Sequence, residues 1–329
     1  MSRLNDVIFL NTVGYKNNCI YFVDANSSSL YEFSTKSFCM GKKVELESKS
    51  VFWAVVNDEI NLYCCALDSV CIFEIDNEFS IVNTYKLKNT KACDAFIVKN
   101  SIVFVPYALD GDFYYFDIST KTFIADENWK IARNNGRING FRNWNRSENK
   151  VCFIGSSGDD VITYDVTAQV EKFAYTQTSY RLKDVVWFMD SLFAISEDGE
   201  TLYYKFDGNN FIKTINHADG KDMLQRLIVT NHDLFIVSQR EVYLLDGEQF
   251  IPTGLRFNTE ISGSSFIRVL SEENYWIFLP WKYSAIGVVG FGLNHADMVK
   301  LRIPIHDVIK ANPIIKEGDL SIEEYISGI

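Results

Sequence analysis

One phrase recurs seven times along this 329-residue chain. SLYEFS, CIFEID, FYYFD, VITYD, LYYKFD, VYLLD and GVVGFG each end on an apolar anchor: Phe33, Ile75, Phe116, Tyr164, Phe206, Leu245 and Phe291. Successive anchors lie 42, 41, 48, 42, 39 and 46 residues apart. A fixed period of this length marks a supersecondary unit that buries its faces against copies of itself. Asp follows the anchor in five copies, as Asp76, Asp117, Asp165, Asp207 and Asp246. A carboxylate there accepts a hydrogen bond from backbone two residues on and starts a tight turn.

About ten residues before each anchor lies another apolar strand, among them IYFVD, NLYCC, SIVFVP and SLFAIS. A first strand precedes it, of the type VIFLNT, FWAVV, DAFIV or DVVWF, and a fourth such as TFIAD or FIKTI follows the turn. The patterns alternate or run continuously apolar without a 3.6-residue period, so each repeat predicts four short antiparallel strands and no helix. That is the blade of a radial array. The pattern resembles the kelch, WD-type and related β-propeller repeats from residue 7 to residue 304. The aromatic-Asp pair stands where those repeats carry Trp-Asp, while the Gly-His and Gly-Gly signatures are missing. The resemblance implies an all-β, seven-bladed β-propeller over residues 1–304. Residues 305–329 then form a tail that packs on the propeller or on a partner, with Ser321 and Glu324 placed to cap a short helix.

Apolar residues make up 47% of the chain and charged residues 23%, enough for a large core. The first residues lack the apolar stretch of a secretory signal, and no run approaches a membrane span. Seven cysteines, odd in number and without a CxxC pair, read as free thiols. Together these features predict a soluble cytoplasmic monomer. A net charge of −11 repels phosphate backbones and argues against nucleic acid as a partner. No metal or cofactor is expected.

In a propeller, function usually lies on the face carrying the turns between second and third strands and the connections between blades. On that face the sequence offers acidic turns with Asp110, Asp112, Asp159, Asp160, Glu197, Asp198 and Glu200. These are residues that turns demand, and they lack calcium-loop spacing. The longest connection, ADENWKIARNNGRINGFRNWNRSENK, instead collects Arg133, Arg137, Arg142 and Arg146 with Trp129 and Trp144. Aligning the repeats sets Arg137 beside Arg181 and brings Arg226 near them. Planar guanidinium forks suit carboxylate, phosphate or sulfate, and Trp supplies a stacking surface. The candidate ligand-binding residues are therefore Arg137, Arg142, Arg181, Arg226, Trp129, Trp144 and Trp281. The competing expectation is that these arginines pair with neighbouring acidic turns and hold blades together.

Catalytic signals are thin. Two NHAD phrases, at His217 and His295, fall at opposite ends of their repeats and cannot share a metal. No GxSxG, HExxH or phosphate loop occurs. The chain therefore carries two readings: a non-catalytic module binding a protein or an anionic ligand on its loop face, or an enzyme on a glycan or other anionic small molecule. The enzyme would use Arg137 and Arg181 as clamp and Asp159 or Asp184 as acid or base.

Overall fold

The computed structural model describes residues 14–304 apart from 25–26, 35–39, 51, 108–110, 135–140, 148, 169–171, 209, 218–221, 231–232, 257–266, 272–274, 281–284 and 291–298. The expected tail at 305–329 and the strand expected at 7–12 lie outside the described residues. The chain divides into two compact units, one of residues 1–107, 111–126 and 266–329, the other of 108–110 and 127–265.

The first unit holds the sheets β1 (Gly14–Lys16), β2 (Cys19–Asp24), β3 (Ser29–Ser34), β4 (Met40–Glu45); β5 (Trp53–Asn57), β6 (Leu62–Ala66), β7 (Cys71–Ile75), β8 (Ile81–Lys86); and β9 (Ala92–Val98), β10 (Ser101–Pro106), β11 (Tyr114–Asp117), β12 (Thr122–Ala125). The second opens with helix α1 (Glu127–Asn134). Its sheets are β13 (Phe141–Arg146), β14 (Lys150–Gly155), β15 (Asp160–Asp165), β16 (Phe173–Gln177); β17 (Leu182–Phe188), β18 (Ser191–Ser196), β19 (Thr201–Phe206), β20 (Phe211–Asn216); and β21 (Leu224–Val229), β22 (Leu234–Ser238), β23 (Glu241–Asp246), β24 (Gln249–Arg256). A last sheet, β25 (Ile267–Ser271), β26 (Tyr275–Pro280), β27 (Ala285–Gly290) and β28 (Val299–Pro304), belongs to the first unit and is described by its backbone. In every sheet the four strands pair antiparallel in chain order.

The anchors Phe33, Ile75, Phe116, Tyr164, Phe206 and Leu245 all sit at or next to the end of a third strand. The Asp after the anchor makes the turn expected of it. Asp76 Oδ1 accepts from the backbone N–H of Glu78 (3.0 Å) and Ser80 (2.9 Å). Asp117 Oδ1 accepts from Ser119 and Thr120 at 2.8 Å each, and Asp165 Oδ1 from Thr167 at 2.9 Å.

Burial falls from inside to outside. The second strand β6 is buried throughout, whereas the fourth strand β8 is almost wholly exposed. Inner strands are covered on both faces and therefore read as continuous apolar runs. Successive residues of β5 and β6 belong to different cores: Val55 and Cys64 pack toward Leu30 of the preceding sheet, Ala54 and Cys65 toward Phe104 of the following one. Cys64 and Cys65 thus face apart, as the strand period requires. In the second unit, Cys152 and Ile154 join Val185 and Ala194, while Val186 and Ile195 join Leu227 and Ile236. A buried polar lock accompanies this packing in the first unit. Glu74, 3% exposed, accepts from Asn61, Lys121, Asn83 and Tyr85 at 2.6–2.9 Å, and Lys121 lies on the next sheet's third turn.

Helix α1 departs from the all-strand expectation. Trp129 and Ala132, three residues apart on one helical face, are buried, and Trp129 packs edge-on to Tyr164 at 5.3 Å. Eight residues are too short for that stripe to stand out in the sequence. No described helix is long and apolar enough to cross a membrane.

Candidate functional site

The second unit gathers most of the predicted site residues, and a repeated β-bulge decides where each points. Pairing between first and second strands shifts register between Phe141 and Asn143, between Leu182 and Asp184, and between Leu224 and Arg226. The extra residues are Arg142, Lys183 and Gln225. A bulge of this kind bends its strand and re-aims the side chains beyond it. In this register Asn143, Asp184 and Arg226 are equivalent, and Arg142 matches Lys183. Arg137 and Trp281 themselves lie outside the described residues.

Arg226 does not point to an open mouth. It is 5% exposed, donates through Nη1 to Asn143 Oδ1 (3.0 Å) and through Nη2 to the Trp144 carbonyl (2.7 Å), and lies 3.4 Å from Asp184 Oδ1. Asp184 is 0% exposed; its Oδ2 accepts from the Leu227 N–H (2.7 Å) and Asn145 Nδ2 (2.9 Å). Asn145 Nδ2 also donates to the Leu227 carbonyl at 2.8 Å. The network thus ties β13 directly to β21, across the sheet between them. Burial pushes the Asp184 carboxyl up to about 6 against the opposing pull of Arg226. A perturbed carboxylate in a cleft would suggest an acid or base. Asp184 instead is sealed from solvent.

The exposed part of the site is built around Glu197, at the turn between β18 and β19. Arg142 Nη1 donates to Glu197 Oε1 at 2.8 Å, and Arg181 Nε lies 3.2 Å from Oε2. The hydrogen bond from Arg142 holds Glu197 below the usual carboxylate range, and the charges of Arg142 and Arg181 add to it. Arg142 also donates through Nη2 to the Leu182 carbonyl. Its guanidinium lies against Gly158, where a Cβ would come within 2.5 Å of Nη2 and where φ is +90°. Lys183 repeats the device one sheet later: Nζ donates to the Leu224 carbonyl at 3.3 Å and packs beside Gly199, φ +80°. Burial pulls the Lys183 ammonium below lysine's ordinary value, opposed by Asp198 and Glu197. Arg142 and Lys183 therefore latch neighbouring sheets, whereas Arg181 is 64% exposed.

The remaining candidates are accounted for locally. Trp129 is 0% exposed and Trp144 8%, so neither offers the stacking surface expected of it; both rings fill core space. The acidic turns serve their own geometry: Ser157 donates to Asp160, Ser196 donates to Asp198, and Asp198 Oδ1 accepts the Glu200 N–H at 2.9 Å. Among the described residues no group of His, Cys, Asp and Glu is arranged to hold a metal ion. Asp110 and His295 lie outside them. His217 follows β20 and sits 3.8 Å from Asp222, whose Oδ2 accepts from Ser238 Oγ (2.6 Å) and Tyr243 OH (3.2 Å). Ser238 is buried, and its hydroxyl lies within hydrogen-bond distance of both the Asp222 carboxylate (2.6 Å) and the Glu241 carbonyl (2.9 Å). Sequence reasoning missed Asn143 and Asn145; nothing marks an Asn in a connection as an internal tie.

No protein-family model and no curated protein matches the chain in sequence. Solved structures do match in shape. Kluyveromyces lactis Hsv2 superposes over 89% of this chain and 99% of its own at 10% identity, TM-score 0.58. YCF48, solved bound to D1 peptide, matches over 86% of this chain and 91% of its own at 14% identity, TM-score 0.62. BamB from Moraxella catarrhalis matches over 82% of each chain at 14% identity, TM-score 0.50. These are β-propeller proteins, and the chain has the β-propeller fold.

Proposed function

We propose that this chain is a seven-bladed propeller acting as a cytoplasmic, non-catalytic binding module, which holds a protein or peptide partner on the face formed by its second-to-third-strand turns and blade connections. The observation that carries this reading is the division of labour in the second unit. The carboxylate and guanidinium with the chemistry most suited to a pocket, Asp184 and Arg226, are spent on a buried tie. The solvent-facing side is a patch of charged side chains, Arg181, Glu197, Asp198 and Glu200, on short turns. Such a patch suits the polar rim of a macromolecular contact better than the enclosure of a small ligand. A propeller neighbour solved with a peptide, YCF48, adds support from fold analogy. The cysteine usage supports the cytoplasmic setting.

The test is selection of a random-peptide display library on the purified full chain, followed by hydrogen exchange with the enriched peptides. Added protection in residues 156–160, 178–181 and 196–200 is the expected outcome. A library without enrichment, together with a melting-temperature rise in phosphate or acidic sugars, would overturn the reading in favour of an anionic small-molecule site.

A further inference from the structure

The outer strand β8 ends its sheet: it pairs with β7 on one side, and among the described residues no strand pairs with its other side. Two inward bonds fix which backbone groups face out. The Leu87 N–H donates to the Val70 carbonyl at 2.9 Å, and the Asp76 N–H to the Ser80 carbonyl at 3.1 Å. Residues of an antiparallel strand turn their N–H and carbonyl alternately toward and away from the paired neighbour. Counting back from Leu87, Tyr85 and Asn83 face β7, while Lys86 and Thr84 face the open edge. Counting forward from Ser80, Ile81 faces the edge too, and the register shift beside it absorbs the change of phase. Five of the six β8 side chains are exposed, Ile81 and Val82 among them at 36% and 47%. Other outer strands carry closing devices that β8 lacks. β24 contains Pro252, β20 buries Phe211 and pairs Lys213 with Glu248, and β12 has only four residues. The charges of β8 are ordered. Asp76 and Glu78 precede the strand, Lys86 and Lys88 end it, and no carboxylate occurs from Phe79 to Cys93. Lys42 donates to the Asn77 carbonyl at 3.0 Å and still leaves the leading end net negative.

We propose that β8 is the contact through which two copies of this chain associate, edge to edge and antiparallel, in place of the monomer that composition predicts. The strand reads acid, apolar, base, and an antiparallel second copy presents the same order reversed. Pairing about Thr84 therefore brings Glu78 of each copy toward Lys86 and Lys88 of the other, with Ile81 and Val82 between the two ends. A two-fold axis makes both ends equivalent and closes the assembly at two. Parallel pairing would set like charges side by side and is disfavoured. The net charge of −11 repels copies at long range, but that repulsion is screened beyond about 8 Å at physiological ionic strength, so charges in contact select the partner. One six-residue strand edge is small for an interface, and the dimer is accordingly weak and concentration-dependent.

The test is sedimentation equilibrium of the full chain at physiological salt, from micromolar to submillimolar concentration. The wild type should shift from monomer toward dimer as concentration rises. Thr84→Pro removes an N–H that faces the open edge and leaves the bonds to β7 intact, so it should weaken association about tenfold or more with little change in melting temperature. Glu78→Lys alone, and Lys86→Glu with Lys88→Glu, should each be monomeric because each sets like charges together. Mixed, the two charge variants should form a heterodimer. They change exposed side chains only, so they decide the question even where Thr84→Pro unfolds. A wild type that stays monomeric throughout overturns the proposal. So does a dimer that none of these variants weakens, or a mixture of the charge variants that remains monomeric. Protection of residues 81–86 by an unrelated peptide, with the wild type monomeric, would assign the edge to another occupant and overturn it as well.

Discussion

At the scale of single residues, the position of a charge relative to solvent decides its role. Arg181 and Arg226 are chemically identical, yet one is 64% exposed and the other almost sealed. Removing the carboxylate opposite Arg226 should be expensive, since an uncompensated buried charge typically costs about 3–5 kcal/mol. Asp184→Ala is therefore expected to lower the unfolding free energy by roughly that amount in urea titration. The same residue predicts a pH effect of unusual sign. Its folded-state value, pushed up to about 6, lies above the unfolded carboxylate's 3.8, so the folded state holds the proton more tightly. The stability it contributes is present below about pH 4 and lost as pH rises toward about 6. Asp184→Asn should flatten the stability difference across that window, and an Asn variant with the wild-type slope would show that Asp184 does not titrate there. The residue types on both sides of this tie were legible in the sequence; which of them faced inward was not, because a one-residue bulge reverses the direction of a side chain.

At the scale of elements, the strands and turns followed from local chemistry. The Asp turns after Ile75, Phe116 and Tyr164 form because the carboxylate satisfies backbone N–H groups that no strand partner reaches. Helix α1 was not foreseen, since its formation depends on a pocket for Trp129 supplied by Phe153 and Tyr164, far along the chain. The latches at the bulges allow a sharper test. Gly158 and Gly208 both have positive φ, +90° and +100°, but only Gly158 has a guanidinium where its Cβ would be. Gly208→Ala should cost only the backbone strain, about 1 kcal/mol, whereas Gly158→Ala should cost more. The excess should vanish in an Arg142→Ala background, read as a double-mutant cycle in denaturant. Equal costs at the two glycines would mean that Arg142 yields freely and latches nothing.

At the scale of the whole molecule, repetition of one four-stranded antiparallel unit favours stability built from neighbour-to-neighbour contacts. Buried thiols report on it. Cys64 and Cys65 lie in the first unit and Cys152 in the second, all fully buried with their thiols pushed up by burial. A thiol reagent should leave all three untouched in the native protein and label them at one urea midpoint. Labelling of Cys152 at lower urea than Cys64 and Cys65 would show that the units unfold separately.

The repeat, its four strands, the anchor and turn residues, and with them an all-β propeller, were determined by the sequence alone; they depend on contacts within a few residues or on a period that repetition makes visible. The tertiary structure alone decided that Arg226 and Asp184 form a buried tie, that Trp129 and Trp144 are core, and that Arg142 and Arg181 share Glu197. Each of those outcomes joins residues distant in the chain, 83 positions apart for Asn143 and Arg226, and the partner is chosen by strand register, a quantity that no local pattern encodes.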